Sequence, residues 1–311
     1  MEDNSITIIK SVILGFIQGV TEFLPVSSSG HLVILQSLLG MSEPQILFDV
    51  MLHIGTLAAI AAVFGKDING LLRTAFRMIS MRALDDEPGG RMLIAIAAGC
   101  VPTAVIGVLF AEQFEHLFSS MTAAGVGLLI TGFILMSTAW KKKQTQDAQE
   151  NAHQTALPVG ENCVGARRAV PACEESSQLT QHVSVLQALI IGTAQGIAIA
   201  PGVSRSGATI AVALLLGVPR ELAARFSFLL AIPAILGALA FEVKDTIGGA
   251  PIDSQSPGIA ATVSGTIIAA ITGIIALLLL LRIVKNGRIS LFAYYCWALG
   301  ILAIALDIMR V

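Results

Sequence analysis

Residues 15–33 read GFIQGVTEFLPVSSSGHLV, and residues 192–210, at a constant offset of 177, read GTAQGIAIAPGVSRSGATI. Seven of the nineteen positions coincide: Gly15, Gln18, Gly19, Val26, Ser27, Ser29 and Gly30 lie over Gly192, Gln195, Gly196, Val203, Ser204, Ser206 and Gly207. All seven except the valine shape the backbone or supply hydroxyls and amides rather than apolar filler. The repeat is therefore a duplicated site. The copies diverge in one telling way, for the first carries Glu22 and His31 and the second Arg205. One copy supplies acid and base, the other a cation.

The surroundings are those of a membrane. Of 311 residues, 55% are hydrophobic and only 13% charged. Uncharged runs at Met92–Ala111, Met121–Trp140, Gly258–Leu281 and Ser290–Leu306 are each near or above the ~18 residues of a spanning helix. Two further spans fit Ile46–Phe64, which tolerates Asp49 and His53, and Phe226–Phe241, which extends through Arg225 or Glu242. The net charge of −2 says little, because in membrane proteins the placement of charge matters more than its sum. No cleavable signal is expected: the first ten residues are acidic and polar, and Lys10 lies inside the apolar stretch. Cys100 and Cys296 read as small core residues, and Cys163 and Cys173, flanked by His153 and His182, match no zinc spacing.

Neither repeated motif can be an ordinary span, since a Gly/Pro/Ser core would leave backbone groups unpaired in lipid. The pattern predicts two re-entrant hairpins: half-helices Ile6–Phe23 and Leu32–Gly40 about a tip at Leu24–Gly30, then Val183–Ala200 and Thr209–Gly217. Three spans follow each hairpin. An odd number of crossings per repeat inverts the second copy, the arrangement in which two broken segments meet near the midplane. The fold expected is an all-α polytopic membrane protein with an inverted-topology repeat, about six transmembrane helices and two re-entrant hairpins. Its parts are a first repeat over 1–140, a polar cytoplasmic loop over 141–182 and a second, inverted repeat over 183–311.

Positive charge orients this threading. With the first hairpin entering from outside, the cytoplasmic segments 65–91, 141–182, 218–225 and 282–288 hold fifteen of the nineteen Lys and Arg. That matches the cytoplasmic bias of these residues and places both termini outside. The loop Glu112–Ser120 is then external and acidic. Segment 141–182 is polar, lacks helical periodicity and reads as a flexible loop.

Glu22 is the residue that structural filler explains worst, because an ionisable side chain inside a membrane costs several kcal/mol unless paired or hydrated. Gln18 lies one turn earlier on the same face, so the two could hold a metal ion, water or hydroxyl between them. Arg205 offers a planar fork that can bind two phosphate oxygens. A histidine after a turn is often only a cap, but His31 beside Ser27, Ser28 and Ser29, facing an arginine, reads as a proton-transfer group. Gly30 and Gly207 permit close approach of the chain, and amides at a helix start form an anion nest. Asp49 and His53, four residues apart, are equally compatible with supporting partners and with a satisfied core pair. Together these groups describe a pocket for a phosphorylated ligand with chemistry at phosphorus.

QGVTEFLPVSSSGHL and PGVSRSGATI resemble the two signature motifs of the undecaprenyl-pyrophosphate phosphatase family, the bacitracin-resistance proteins, over almost the whole chain. The resemblance implies removal of the terminal phosphate of the polyprenyl pyrophosphate carrier lipid, whose monophosphate is reused in cell-wall synthesis. The family's acidic motif falls on Gln18 and Glu22, its serine and histidine positions on Ser27, Ser28 and His31, and its second motif on Ser204, Arg205, Ser206 and Thr209. Gln18 is the less acidic choice, which weakens a two-carboxylate site for a divalent cation, Mg or Ca.

The resulting expectation is a lipid-pyrophosphate phosphohydrolase of the bacterial cytoplasmic membrane. Ser28 attacks phosphorus, His31 relays the proton, Arg205 balances charge, and Glu22 with Gln18 holds a cation or orders the nucleophile. Ser27 is the alternative nucleophile, and direct attack by water stays open. Ser29, Gly30, Ser204, Ser206, Gly207 and Thr209 are expected around the substrate. The partners are the polyprenyl pyrophosphate lipid and the bilayer, with no nucleic acid and with a homodimer as an option. The rival reading is a transporter or flippase of a phosphorylated lipid, since inverted repeats with broken helices are commonest in carriers.

Overall fold

The computed structural model describes residues 4–38, 46–81, 88–155, 182–247 and 258–310. Among these there is no strand. The helices are α1 (Asn4–Phe23), α2 (Ser28–Leu38), α3 (Ile46–Met81), α4 (Pro88–Leu109), α5 (Ala111–Phe118) and α6 (Met121–Thr155), then α7 (Val185–Ile197), α8 (Arg205–Leu215), α9 (Arg220–Ile247), α10 (Ile259–Lys285) and α11 (Phe292–Arg310). A 3₁₀ turn, Ile289–Leu291, leads into α11. Six of the described helices have stretches long and apolar enough to cross a membrane: Phe48–Met78, Gly89–Leu109, Met121–Trp140, Arg220–Ala240, Ile259–Lys285 and Ile289–Met309. The chain is a multi-pass, all-α membrane protein. Three spans follow the α1–α2 pair and three follow α7–α8. At 1.5 Å per residue, α2, α7 and α8 reach only about 17–20 Å, short of the ~30 Å of a bilayer core.

Several boundaries differ from the sequence reading. The second arms start at Ser28 and Arg205, four residues before Leu32 and Thr209, because Ser27 and Ser204 cap them: each side-chain oxygen accepts the amide hydrogen three residues on, Gly30 N at 3.2 Å and Gly207 N at 3.1 Å. Ser28, Ser29, Gly30 and His31 are therefore helical and not part of the tip. The span beginning at Ile46 continues past Phe64, where the backbone breaks (φ −102°, ψ 19°) and the helix bends before running on to Met81. The expected external loop Glu112–Ser120 contains the short helix α5. The segment starting at Lys141 is not a loop throughout, since α6 runs on to Thr155. Residues 141–155, KKKQTQDAQENAHQT, are led by Lys, Gln and Ala and contain no Gly or Pro, a composition that can propagate a helix already nucleated by the span. The rest of that segment, with Cys163 and Cys173, lies outside the described residues.

The two halves are interleaved. The first arm of each hairpin packs along the second span of the other half, α1 on α10 and α7 on α4. Both contacts depend on glycine at repeat-related positions. A Cβ on Gly15 would lie 2.2 Å from the Gly265 carbonyl oxygen, and one on Gly192 would lie 2.0 Å from that of Gly99. Only hydrogen fits at either place, the close approach that small residues give helices in lipid. The core is built on Phe23, Ile60, Phe226, Phe228, Leu230 and Leu277. Ile259, Val108 and Phe133 stand exposed on the outer faces of spans, as lipid-facing side chains do.

Candidate active site

The hairpin tips meet inside this frame. Leu24–Ser27 joins α1 to α2, and Ala198–Ser204 joins α7 to α8. Ser27 closes its turn in the left-handed region at φ 66°, unusual for a residue with a side chain. The turns touch closely: Ser206 Oγ donates to the Leu24 carbonyl at 3.3 Å, and a Cβ on Gly30 would lie 3.0 Å from the Gly202 Cα. Two helix N-termini, each with unpaired amides and a positive dipole end, thus face a common space. Behind the second tip, Thr131 of α6 donates to the Gly202 carbonyl at 3.0 Å and accepts from the Ser204 amide at 2.9 Å, so a span fixes the turn.

Glu22, in the last turn of α1, is the hub. Its carboxylate is buried, and three side chains donate to it. Ser28 Oγ donates to Oε2 at 2.6 Å, and Gln18 Nε2 donates to the same oxygen at 3.0 Å. Oε1 is paired with the Arg205 guanidinium. His53 Nε2 stands 3.9 Å from Oε2. An isolated carboxylate could not be kept in such a place, so the arginine from the second repeat is what lets the acid of the first stay charged. A small cavity of about 10 Å³ beside the pair is walled by Phe23, Ser206, Ser227 and Phe228, among others.

The expected site residues separate into two groups. Ser28, Gln18 and Arg205 each contact Glu22. Ser27 and Ser204 spend their hydroxyls on helix caps, with Ser29 Oγ 3.2 Å from Ser27 Oγ and Ser206 Oγ 3.3 Å from Ser204 Oγ. Thr209 is fully buried; it bonds Ser227 of α9 and donates to the Arg205 carbonyl at 2.8 Å, fastening α8 to its neighbour. Both nitrogens of His31 are engaged away from Ser28. Nδ1 donates to the Ser27 carbonyl and Nε2 pairs with the Tyr295 hydroxyl, each at 2.7 Å.

His53 and Tyr295 are contributions the motifs did not assign. His53 is turned toward Glu22 by its own Nδ1–H, which donates to the Asp49 carbonyl at 2.7 Å, while Gln36 Nε2 holds the Asp49 carboxylate at 3.1 Å. The four-residue spacing of Asp49 and His53 hinted at this. Nothing local marks Tyr295, which lies 264 residues from its partner.

For a divalent cation the donor set is thin. Among the described residues, no three His, Cys, Asp or Glu side chains gather as metal ligands. Gln18 Oε1, however, is buried without a hydrogen-bond partner, on the amide whose Nε2 donates to Glu22. Two protein oxygens suit a hard cation that takes its remaining ligands from water and phosphate.

Comparison with known proteins extends this picture. Residues 11–302 match the family model described as bacitracin resistance protein BacA. The chain belongs to the BacA family. Similar proteins named undecaprenyl-diphosphatase occur in Desulfosudis oleivorans (42% identity, 94% of this chain and 96% of the relative) and Desulfatibacillum aliphaticivorans (41%, 94% and 96%). Another, from Korarchaeum cryptofilum, is 38% identical over 96% of this chain and 99% of its own length. Membership thus covers both hairpins and all six apolar spans of this BacA-family chain.

Proposed function

We propose that this protein is an undecaprenyl-diphosphatase, which hydrolyses undecaprenyl pyrophosphate to undecaprenyl phosphate and inorganic phosphate. Family membership and the names of the relatives support the substrate, and one contact supports the chemistry: Ser28 Oγ donates to a carboxylate that also holds Arg205. A carrier needs to bind the headgroup; it does not need a hydroxyl pointed at a buried base. No observation favours the transporter reading.

In this mechanism the terminal phosphoryl group enters the space between the tips, where the remaining Arg205 N–H groups and the free amides at the starts of α2 and α8 bind its oxygens. Ser28 Oγ attacks the terminal phosphorus in line with the bridging oxygen, and its proton passes to Glu22 Oε2. The bond between phosphorus and the bridging oxygen breaks, and undecaprenyl phosphate leaves carrying the proton that Glu22 had taken, which restores the carboxylate. Water then attacks the phosphoserine, giving up a proton to Glu22, and the Ser28 oxygen leaves and is reprotonated as inorganic phosphate departs. Arg205 balances the charge that spreads over the equatorial oxygens. Glu22 and Gln18 Oε1 would hold a divalent cation, Mg or Ca, which would neutralise phosphate charge when bound. Ser27 and Ser204 shape the pocket, and His31, with Nδ1–H tied to Ser27, exchanges protons with phosphate oxygens at Nε2. We place the protein in the bacterial cytoplasmic membrane with both termini and the site's entrance outside, on the distribution of Lys and Arg.

The test is to incubate purified protein in detergent with a long-chain polyprenyl pyrophosphate and to identify both products. One inorganic phosphate per lipid monophosphate supports the reading; unchanged pyrophosphate lipid rejects it.

A further inference from the structure

The His31 ring is held at both nitrogens. Nδ1 faces the Ser27 carbonyl at 2.7 Å, and a carbonyl can only accept, so Nδ1 carries hydrogen. In the neutral imidazole Nε2 is then the lone-pair nitrogen, and the hydroxyl of Tyr295, 2.7 Å away, donates to it. The rings also stack, with centroids 5.7 Å apart and planes 4° from parallel. Tyr295 comes from α11, the last span, which lies against the first hairpin turn: the neighbouring Cys296 thiol donates to the Pro25 carbonyl at 3.5 Å.

Packing alone does not call for a phenol there. Tyr295 is 48% exposed, and a phenylalanine would stack equally well. What the hydroxyl adds is a directed bond to one nitrogen of a histidine in the first turn of α2, immediately after Gly30, whose amide meets its cap. We infer that Tyr295 is a positioning residue for the phosphohydrolase reaction, fixing the tautomer and ring plane of His31 from the opposite end of the chain. The inference rests on the hydrolase reading above. With Nδ1–H tied to Ser27, proton exchange at His31 is confined to Nε2, and Tyr295 sets where that nitrogen points. Without the hydroxyl the Nε2–H tautomer becomes accessible and the ring is free to turn away from the Ser27 carbonyl.

The experiment compares Tyr295→Phe, His31→Asn and the double variant in purified form, with Tyr294→Phe as a control. Tyr294 packs edge-on to Trp297. Tyr295→Phe is expected to lower kcat about tenfold with KM within about twofold, whereas on the His31→Asn background it should cost nothing more. Histidine ¹⁵N spectra, with His31 assigned by its loss in His31→Asn, should show a single Nδ1–H tautomer in the wild type and a tautomer mixture in Tyr295→Phe. Wild-type turnover by Tyr295→Phe, or an equal loss on both backgrounds, overturns the inference. So does an unchanged tautomer in Tyr295→Phe. The spectra need no turnover, so a protein that releases no phosphate defeats the hydrolase reading while the spectra still decide the role of Tyr295.

Discussion

Ser28 Oγ donates to Glu22 Oε2 at 2.6 Å across the turn that joins α1 to α2. Ser27, one residue earlier, instead turns its hydroxyl to the Gly30 amide and Ser29. Adjacent serines that no sequence argument could rank are thus separated by what they touch. One faces a buried carboxylate, the other caps a helix.

The first prediction follows from that difference. Ser28→Ala should lower phosphate release by ~1000-fold or more while leaving lipid binding largely intact, since Arg205 and the tip amides remain. Ser27→Ala should keep measurable activity but lose about 1 kcal/mol of stability with its cap. Dead Ser27→Ala beside an active Ser28→Ala would transfer the nucleophile by one residue. If both stay active, water attacks directly.

Arg205 pairs with Glu22 through one nitrogen, and in the proposed mechanism its other N–H groups bind phosphate. Arg205→Lys retains the cation and loses the fork, so turnover should fall by at least ~100-fold in the phosphate-release assay. Near-normal turnover would remove Arg205 from the site.

Stability should hinge on the interleaved helix pairs. A methyl group at residue 192 meets the Gly99 carbonyl oxygen at 2.0 Å, so Gly192→Ala should destabilise the protein by roughly 1–3 kcal/mol, read as a lowered Tm in detergent. Gly70, with open space around it in α3, is the comparison: Gly70→Ala should leave Tm unchanged or slightly raised. Equal Tm for wild type and Gly192→Ala would mean that α4 and α7 do not approach this closely.

Orientation can be read chemically. With the native cysteines replaced, a cysteine at Ser119 should react with an impermeant thiol reagent outside intact cells and one at Asn286 should not. The reverse pattern would put the site's entrance on the cytoplasmic face.

Much of this architecture was legible because the 177-residue offset exposed the duplicated turns, and turns rich in Gly, Pro and Ser cannot cross lipid alone. The convergence of Glu22 and Arg205 followed from the inverted repeat, but their direct ion pair did not, since the sequence reading gave Arg205 to phosphate and Glu22 to a cation or the nucleophile. The helix starts were misplaced because the serines were read as ligands before they were read as caps. Residues 141–155 were taken for loop on polarity, although a helix leaving the membrane can continue in water through polar residues free of Gly and Pro. Tyr295 was out of reach: its tie to His31 is made by tertiary packing between the last span and the first hairpin, and no local pattern encodes it. Thr209 looked like a ligand in the motif, yet its hydroxyl is consumed by Ser227 and by the backbone.

The central claim is that a carboxylate buried between a serine and an arginine drives hydrolysis of a lipid pyrophosphate, and the most direct measurement is phosphate release by purified wild type and Glu22→Gln from a long-chain polyprenyl pyrophosphate. Glutamine keeps the size of the side chain and removes its charge and basicity. The account predicts one phosphate per lipid from the wild type and a loss of about 1000-fold or more in Glu22→Gln, with the variant still eluting as folded protein. Wild-type rates from Glu22→Gln, or no phosphate from the wild type itself, would contradict it.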